Sequence, residues 1–312
     1  MCMNVRKILI TGVNGFVGYH VVKAFKASNF ITVGVAYNSA PNTGIANSVD
    51  EYVSCDLLNE WDTSRIDFTG VIAIIHLAGL SAVGQSFEQP HRYIADNALM
   101  TYNLLDAAQK AGFQGRVVVV STGALYDANQ QLPLNEISKS LENSPYAVGK
   151  LGVEHVSNYF RLRGLDAVVV RPFNHIGPGQ GEGFLLPDLY AQLRQAHTND
   201  NKIFVGNLTT KRDYTDVRDI AHAYKLIALT SNLSGSLYNI CSGRSVSGNE
   251  ILRLLQTKLG LENITVVVDE TKIRPTDIAD IYGDASKLTA ETGWRPDISL
   301  EETIAAFLDE VK

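Results

Sequence analysis

The stretch Gly12-Val13-Asn14-Gly15-Phe16-Val17-Gly18 restricts the fold of this chain more than any other. It follows the apolar run Lys7–Thr11 and opens an apolar segment, Phe16–Ala27. An apolar run that stops at a glycine-rich turn and resumes with helical periodicity reads as strand, turn and helix. Glycines in that turn let the backbone bend tightly and approach a pyrophosphate, whose charge then sits at the helix N-terminus. Gly12, Asn14, Gly15, Phe16, Val17 and Gly18 are therefore the first candidates for holding a dinucleotide.

The same rhythm continues. Further strands are expected at Thr32–Tyr37, Glu51–Ser54, Val71–His76, Val117–Ser121 and Ala167–Arg171, and helices at Tyr93–Ala111 and Pro145–Leu162. Continuous apolar strands separated by helices are what a parallel sheet covered on both faces needs. The expected fold is α/β, a Rossmann-type doubly wound parallel sheet with a smaller C-terminal α+β substrate-binding region. After Phe173 the pattern changes: Gly177-Pro178-Gly179, Gly181 and Gly183 precede helices near Leu185–His197, Val217–Leu229 and Gly248–Leu259. Short strands are expected near Ile203–Gly206 and Leu237–Ile240. The expected division is a dinucleotide-binding domain over 1–172, rejoined by segments near 213–242, and a mainly substrate-binding region over 173–312.

Bulk properties narrow the function. With 312 residues the chain can bury a sizeable core, and its net charge of -6 comes without a run of Lys or Arg. That argues against nucleic acid or an anionic membrane as a main partner. Cys2, Cys55 and Cys241 are scattered and lack metal-ligand spacing, so reduced thiols and no metal site are expected. No signal-peptide pattern opens the sequence and no apolar run is long enough to span a bilayer, which makes the cytoplasm the expected location.

Tyr146 and Lys150 lie four apart at the start of an expected helix and share one face. A free tyrosine, with a pKa of about 10, is a poor acid–base group near neutrality, and a nearby ammonium favours its phenolate. Alone, the pair reads as a surface tyrosine above a solvated lysine. Thr122 sharpens it by standing at the carboxyl end of the fifth strand, where α/β folds bind ligands. After the second strand come Ala36-Tyr37-Asn38-Ser39, with neither an acid for ribose hydroxyls nor an arginine for a 2′-phosphate. The missing acid favours NADP, with Asn38 and Ser39 as neutral donors; the missing arginine leaves NAD open.

These motifs together resemble the extended short-chain dehydrogenase/reductase (NAD-dependent epimerase/dehydratase) family. The first two glycines are separated by two residues, as in that family. Asp56-Leu57 resembles its adenine-contacting pair, and His76-Leu77-Ala78-Gly79 resembles its turn beside the cofactor, with His76 itself read as a packing residue. Asn97 matches an asparagine that is mainly structural there. Thr122, Tyr146 and Lys150 match the family's triad. By this likeness Tyr146 moves a proton at an oxygen on the sugar's C4, Lys150 also binds ribose, and Thr122 polarises the carbonyl. Arg171 to Gln180 resembles the segment leading into the sugar pocket, which implies Pro172 and Phe173 near the nicotinamide and Asn174 at the substrate, with Ser81. Arg212 and Arg274 match arginines that hold a nucleotide diphosphate. Helices Tyr93–Ala111 and Pro145–Leu162 resemble those of a four-helix homodimer interface.

Within the family, Phe173–Gln180, Arg212–Tyr224 and Tyr238–Gly243 resemble most the reductases of GDP-4-keto-6-deoxy-mannose, which form GDP-rhamnose. Two departures stand out. Gly123, Ala124 and Leu125 follow Thr122 where that group and the 4,6-dehydratases carry an acid, which disfavours water elimination and resembles a 4-epimerase. Asp127 replaces the glycine expected after Tyr126. The expected activity is NAD(P)-dependent reduction of the C4 keto group of an NDP-4-keto-6-deoxy-hexose. An NAD-dependent 4-epimerase that retains its cofactor is the alternative. A non-catalytic NADP sensor is a third reading, opposed by the intact triad. The nucleotide, GDP, UDP or dTDP, is not legible.

Overall fold

Alternating strands and helices build a seven-stranded parallel sheet in a computed structural model that describes residues 6–273 and 278–311. The first six strands are β1 (Lys7–Thr11), β2 (Ile31–Ala36), β3 (Glu51–Ser54), β4 (Val71–His76), β5 (Arg116–Val120) and β6 (Ala167–Pro172). Then follow β7 (Asn174–Ile176), β8 (Lys202–Val205), β9 (Lys211–Asp216), β10 (Leu237–Ile240), β11 (Ser245–Ser247), β12 (Thr265–Val268) and β13 (Asp280–Ile281). The main sheet runs β10-β6-β5-β4-β1-β2-β3, so the strand order reverses between β1 and β4. A crevice at the carboxyl ends of the strands opens at such a reversal.

Both faces of this sheet are buried, and the alternation of side chains along β1 shows how. Ile8 and Ile10 join Val21, Val22 and Phe25 of the Phe16–Lys26 helix and Ile220 and Ile227 of the Val217–Leu229 helix. Leu9 points the other way, towards Leu104 and Leu105 of the Pro90–Lys110 helix and Val153 and Phe160 of the Pro145–Arg161 helix. Later chain also reaches the first face: Leu288 and Trp294 pack into the cluster around Phe25. A separate core forms around Leu186, Leu189, Ile251, Leu255 and Phe307, beside the pair β8–β12 and the small sheet of β7, β9, β11 and β13.

β1, β3, β4 and β10 and the helices Val217–Leu229 and Gly248–Leu259 fall at their expected limits, and β2 and β5 start one residue earlier. The strands of the small sheet, and the helices Ser286–Thr292 and Leu300–Glu310, were not expected. Segments of two or three residues carry no period, and β9 reads Lys-Arg-Asp-Tyr-Thr-Asp, too polar for a strand signal. The Leu300–Glu310 helix does carry a legible mark, a capping box between Ser299 and Glu302.

One buried ion pair fastens the Pro145–Arg161 helix to the sheet. Arg171 of β6 donates from Nε and Nη2 to the two carboxylate oxygens of Glu154, at 2.8 and 2.7 Å. The Ser121 hydroxyl donates to the same carboxylate at 2.6 Å, and the guanidinium lies over the Tyr126 ring at 4.7 Å. The Tyr126 hydroxyl in turn donates to Asn239 of β10 at 2.7 Å. Removing one member of such a pair strands a buried charge, at about 3–5 kcal/mol. Glu154→Ala should lower the unfolding free energy by about that amount in urea titrations, whereas Glu154→Leu with Arg171→Met should recover much of it.

Candidate active site

The glycine-rich turn is shaped by contact with its neighbours. Gly12 has φ +68°, and a Cβ there would stand 2.8 Å from the Ala78 backbone nitrogen, so this turn lies directly against the one after β4. At Gly18 a Cβ would come within 2.4 Å of the Val13 carbonyl. The Phe16–Lys26 helix starts at Gly15 with no side-chain cap and no acid in its first turn, which leaves its first N–H groups to a ligand. These residues line a cavity of about 980 Å³ at the carboxyl ends of the central strands. An uncapped helix start behind a turn too tight for side chains fits a dinucleotide pyrophosphate.

Neutral groups shape the far end. The Asn14 amide donates to Asn38 Oδ1 at 3.1 Å and to the Tyr52 hydroxyl at 3.1 Å, while its Oδ1 accepts from the Asn42 N–H at 3.0 Å. Asp56 and Leu57 line the same end, with Asp56 accepting from the Leu58 N–H at 3.0 Å. Leu77, Ala78 and Gly79 form the adjoining wall. His76 sits behind them, with Nδ1 2.8 Å from the Thr11 hydroxyl and Nε2 3.1 Å from that of Thr101. Burial, with the Lys150 charge adding to it, drives its pKa down to about 3, so His76 is a neutral packing group. Asn97 accepts from the Leu80 N–H at 2.7 Å and donates back to the Leu80 carbonyl at 3.2 Å, which shapes the same turn.

The candidate reacting groups come from one helix and one strand end. Ser144 caps the Pro145–Arg161 helix by accepting from the Ala147 N–H, and Pro145 fixes its first turn. Tyr146 and Lys150 then face the cavity together, both buried. Lys150 donates to the Val120 carbonyl at 2.8 Å; burial lowers its pKa to about 8, against the pull of Glu154 one turn on. Thr122 follows β5, accepts from the Ala124 N–H at 3.1 Å, and stands within hydrogen-bond reach of the Tyr146 hydroxyl.

Here the structure corrects an expectation. Tyr146 is pushed above its ordinary pKa, chiefly by burial, with the Thr122 hydrogen bond working the other way. The Lys150 ammonium is engaged by the Val120 carbonyl, and burial raises the phenol. Tyr146 therefore keeps its proton at neutral pH.

Ser81, Pro172, Phe173 and Asn174 line the same cavity. Arg212 does not: its guanidinium donates to the Lys211 and Ile278 carbonyls at 2.8 and 2.6 Å, and Tyr214 two residues on reaches the wall. Arg274 lies outside the described residues. Gln180, Tyr214 and Tyr224 line the wall and were not expected. Gln180 closes the motif that runs from Arg171, whereas Tyr224 carries no signal that separates it from a core residue. Among the described residues only Asp56 and Asp96 bring carboxylates to this wall, and the Gly123–Leu125 turn beside Thr122 brings none.

The Lys150 amine is charged below about pH 8 and neutral above it. The kcat/KM, which reports groups of the free enzyme, is therefore expected to fall as pH rises through about 8. Lys150→Arg, whose cation persists, should remove that limb from the pH profile even where it lowers the plateau.

Comparison with known proteins agrees with this geometry. The GDP-mannose 4,6 dehydratase family profile matches residues 9–307. GDP-6-deoxy-D-mannose reductase from Pseudomonas aeruginosa is 30% identical over 316 residues, covering 98% of this chain and 97% of its own. The solved structure of RMD from Pseudomonas aeruginosa complexed with NADPH matches with a TM-score of 0.82 and 29% identity, over 98% of this chain and all of that one (100%). UDP-glucose 4-epimerase from Thermotoga maritima, solved with UDP-glucose, matches with a TM-score of 0.87 and 26% identity, over 98% of both chains. The chain belongs to the GDP-mannose 4,6 dehydratase family, an NAD(P)-binding group of extended short-chain dehydrogenases/reductases that acts on nucleotide sugars.

Proposed function

We propose that the chain reduces the C4 keto group of a nucleotide-linked 4-keto-6-deoxy-hexose, with NADPH as the favoured donor. The observation that carries this reading is the meeting of Thr122, Tyr146 and Lys150 in one cavity wall, in a chain similar over 98% of its length to GDP-6-deoxy-D-mannose reductase. Reduction of a ketone needs a proton delivered to the carbonyl oxygen, and a buried phenol that keeps its proton is suited to deliver it.

The bound dinucleotide supplies a hydride to the carbonyl carbon. Thr122 orients and polarises the carbonyl oxygen, and Tyr146 passes its hydroxyl proton to that oxygen as the C–H bond forms. The phenolate left behind is stabilised by Lys150, four residues on. Gly12, Gly15, Phe16, Val17 and Gly18 hold the pyrophosphate; Asn14 and Asn38 shape the ribose end, with Asp56 and Leu57 at the adenine. Leu77, Ala78, Gly79 and Pro172 flank the nicotinamide side. Ser81 and Asn174 meet the sugar, and residues 173–312 supply most of its pocket, with Arg212 and Arg274 as the diphosphate groups, Arg212 after release from the Lys211 and Ile278 carbonyls. The neutral Asn38 and Ser39, without an acid nearby in sequence, favour a 2′-phosphate over free ribose hydroxyls.

Water elimination is disfavoured because Asp96 pairs with Arg92 and Asp56 serves the far end, so neither stands beside Tyr146 as an acid. A 4-epimerase is the second reading, favoured by the acid-free turn after Thr122 and by the likeness to the Thermotoga maritima epimerase. A homodimer through the Pro90–Lys110 and Pro145–Arg161 helices belongs to the same proposal. Ile94, Leu99, Tyr102 and Tyr159 on these helices are exposed, more apolar surface than a lone helix pair ordinarily leaves to water.

The protein purified without added cofactor should release little NAD on denaturation and should oxidise NADPH with GDP- or dTDP-4-keto-6-deoxy sugars. Tyr146→Phe should lower kcat by about 10²–10⁴. Abundant released NAD, with UDP-sugars interconverted at C4 and no net NADPH consumed, would overturn the reductase in favour of the epimerase. Light scattering should give the mass of two chains, and Leu99→Glu should shift it towards one.

A further inference from the structure

Tyr224 is the one residue of the cavity wall that comes from the Val217–Leu229 helix, on the face of the sheet opposite the helix of Tyr146. Its ring is fully buried in the core shared with the Phe16–Lys26 helix. Its hydroxyl is sealed from solvent and has no hydrogen-bond partner among the described residues. Folded proteins leave few such groups, because an unpaired buried hydroxyl is a net cost to folding. Phenylalanine would fill the same core volume without that cost. A hydroxyl placed where only packing is needed points to a partner that arrives with a ligand.

The position of Tyr224 selects the ligand. The cavity has a ribose end, marked by Asn14, Asn38 and Asp56, and a reacting end, marked by Thr122, Tyr146 and Lys150. Tyr224 shares this wall with Tyr146, near enough that ionising either phenol would disfavour ionising the other. Its helix packs under β4 and β5, the strands whose ends carry the dinucleotide turn and Thr122. The sugar side is built instead from Asn174, Gln180 and Tyr214. Of the groups brought to the reacting end, the nicotinamide carboxamide offers a carbonyl and an amide within one small planar unit. Burial keeps the Tyr224 hydroxyl protonated, so it is a neutral donor and not a second base.

We propose that the Tyr224 hydroxyl is a cofactor contact, hydrogen-bonding the nicotinamide carboxamide and holding the ring at the Tyr146 end of the cavity. This rests on dinucleotide binding and not on which sugar is reduced.

The test compares Tyr224→Phe with the natural protein by calorimetric titration. The probes are NADPH and NADH, and the same molecules without nicotinamide, ADP-ribose 2′-phosphate and ADP-ribose. The dissociation constant of the dinucleotide should rise about 3- to 10-fold, the range of one hydrogen bond, while that of the truncated probe stays unchanged. The urea midpoint of the ligand-free variant should stay the same or rise, because the substitution removes an unpaired group. Unchanged dinucleotide affinity, or equal weakening for both probes, would overturn the assignment. So would a lower urea midpoint, which would mean that the hydroxyl already has a partner such as a buried water. If the natural protein binds none of the four probes, the dinucleotide reading falls and takes this one with it; if it binds them and the variant matches it, Tyr224 alone is wrong.

Discussion

The approach of Gly12 to Ala78 holds the site together. A side chain at Gly12 would meet the Ala78 backbone at 2.8 Å, so the turns after β1 and β4 touch only because one of them has no Cβ. That contact makes one continuous edge of Gly12, Leu77 and Gly79, and the Thr11 hydroxyl ties it further by accepting from the Ala78 N–H at 3.2 Å. His76, neutral and buried, and Asn97 then set the position of the second turn from behind. At Gly79 a Cβ would lie 3.5 Å from Lys150 Nζ, which links the cofactor edge to the reacting end. Move the first turn outward and the geometry at Lys150 moves with it.

What was legible in the sequence follows from which interactions are local. Strand–turn–helix glycines, β4, and the Tyr146–Lys150 spacing on one helical face are all short-range, and the structure places each where periodicity predicts. Thr122 was found because the end of a strand is itself a local feature. Arg212 shows the limit. Its sequence neighbourhood resembles a diphosphate site, but one of the carbonyls that hold its guanidinium belongs to Ile278, 66 residues away. Tyr224 shows the opposite failure: an apolar helix face predicts its burial, and only the folded cavity reveals a hydroxyl with no partner among the described residues. The small sheet was illegible for a third reason, since β9 is a polar strand stabilised by β7, β11 and β13 from distant segments.

The electrostatics of the reacting end are set by burial as much as by charge. Tyr146 and Lys150 are both desolvated, and desolvation drives their pKa values apart: the phenol above its ordinary value, the amine down to about 8. Each is thereby kept nearer its uncharged form, in which neither needs the other. The balance is held from behind by Glu154, whose carboxylate favours the Lys150 ammonium while Arg171 and Ser121 satisfy its oxygens. The ion pair that anchors the helix thus also tunes the amine that the helix carries. In the proposed reduction, a proton leaving Tyr146 would create a phenolate at the point where an ammonium regains its value, so the pair would be strongest once the proton has moved.

Reductase and epimerase place opposite demands on the cofactor, which the first must release every turnover and the second must keep. The far end of the cavity bears on that choice. Asn14, Asn38, Asn42 and Tyr52 are joined by neutral hydrogen bonds, and Asn38 and Ser39 stand where other dinucleotide sites carry a carboxylate or an arginine. A neutral hydrogen bond contributes about 0.5–1.5 kcal/mol, against about 1.5–3 kcal/mol where one partner is charged. A β2 loop that meets the ribose with neutral groups, leaving Asp56 as the carboxylate at that end, gives up as much as about 70-fold in retention for each charged contact it lacks. That loss is tolerable, and even useful, for an enzyme whose dinucleotide must leave oxidised and be replaced. It is a handicap for one that must hold the same molecule through both halves of an epimerisation, so the composition of this loop supports the proposed reduction over the epimerase reading.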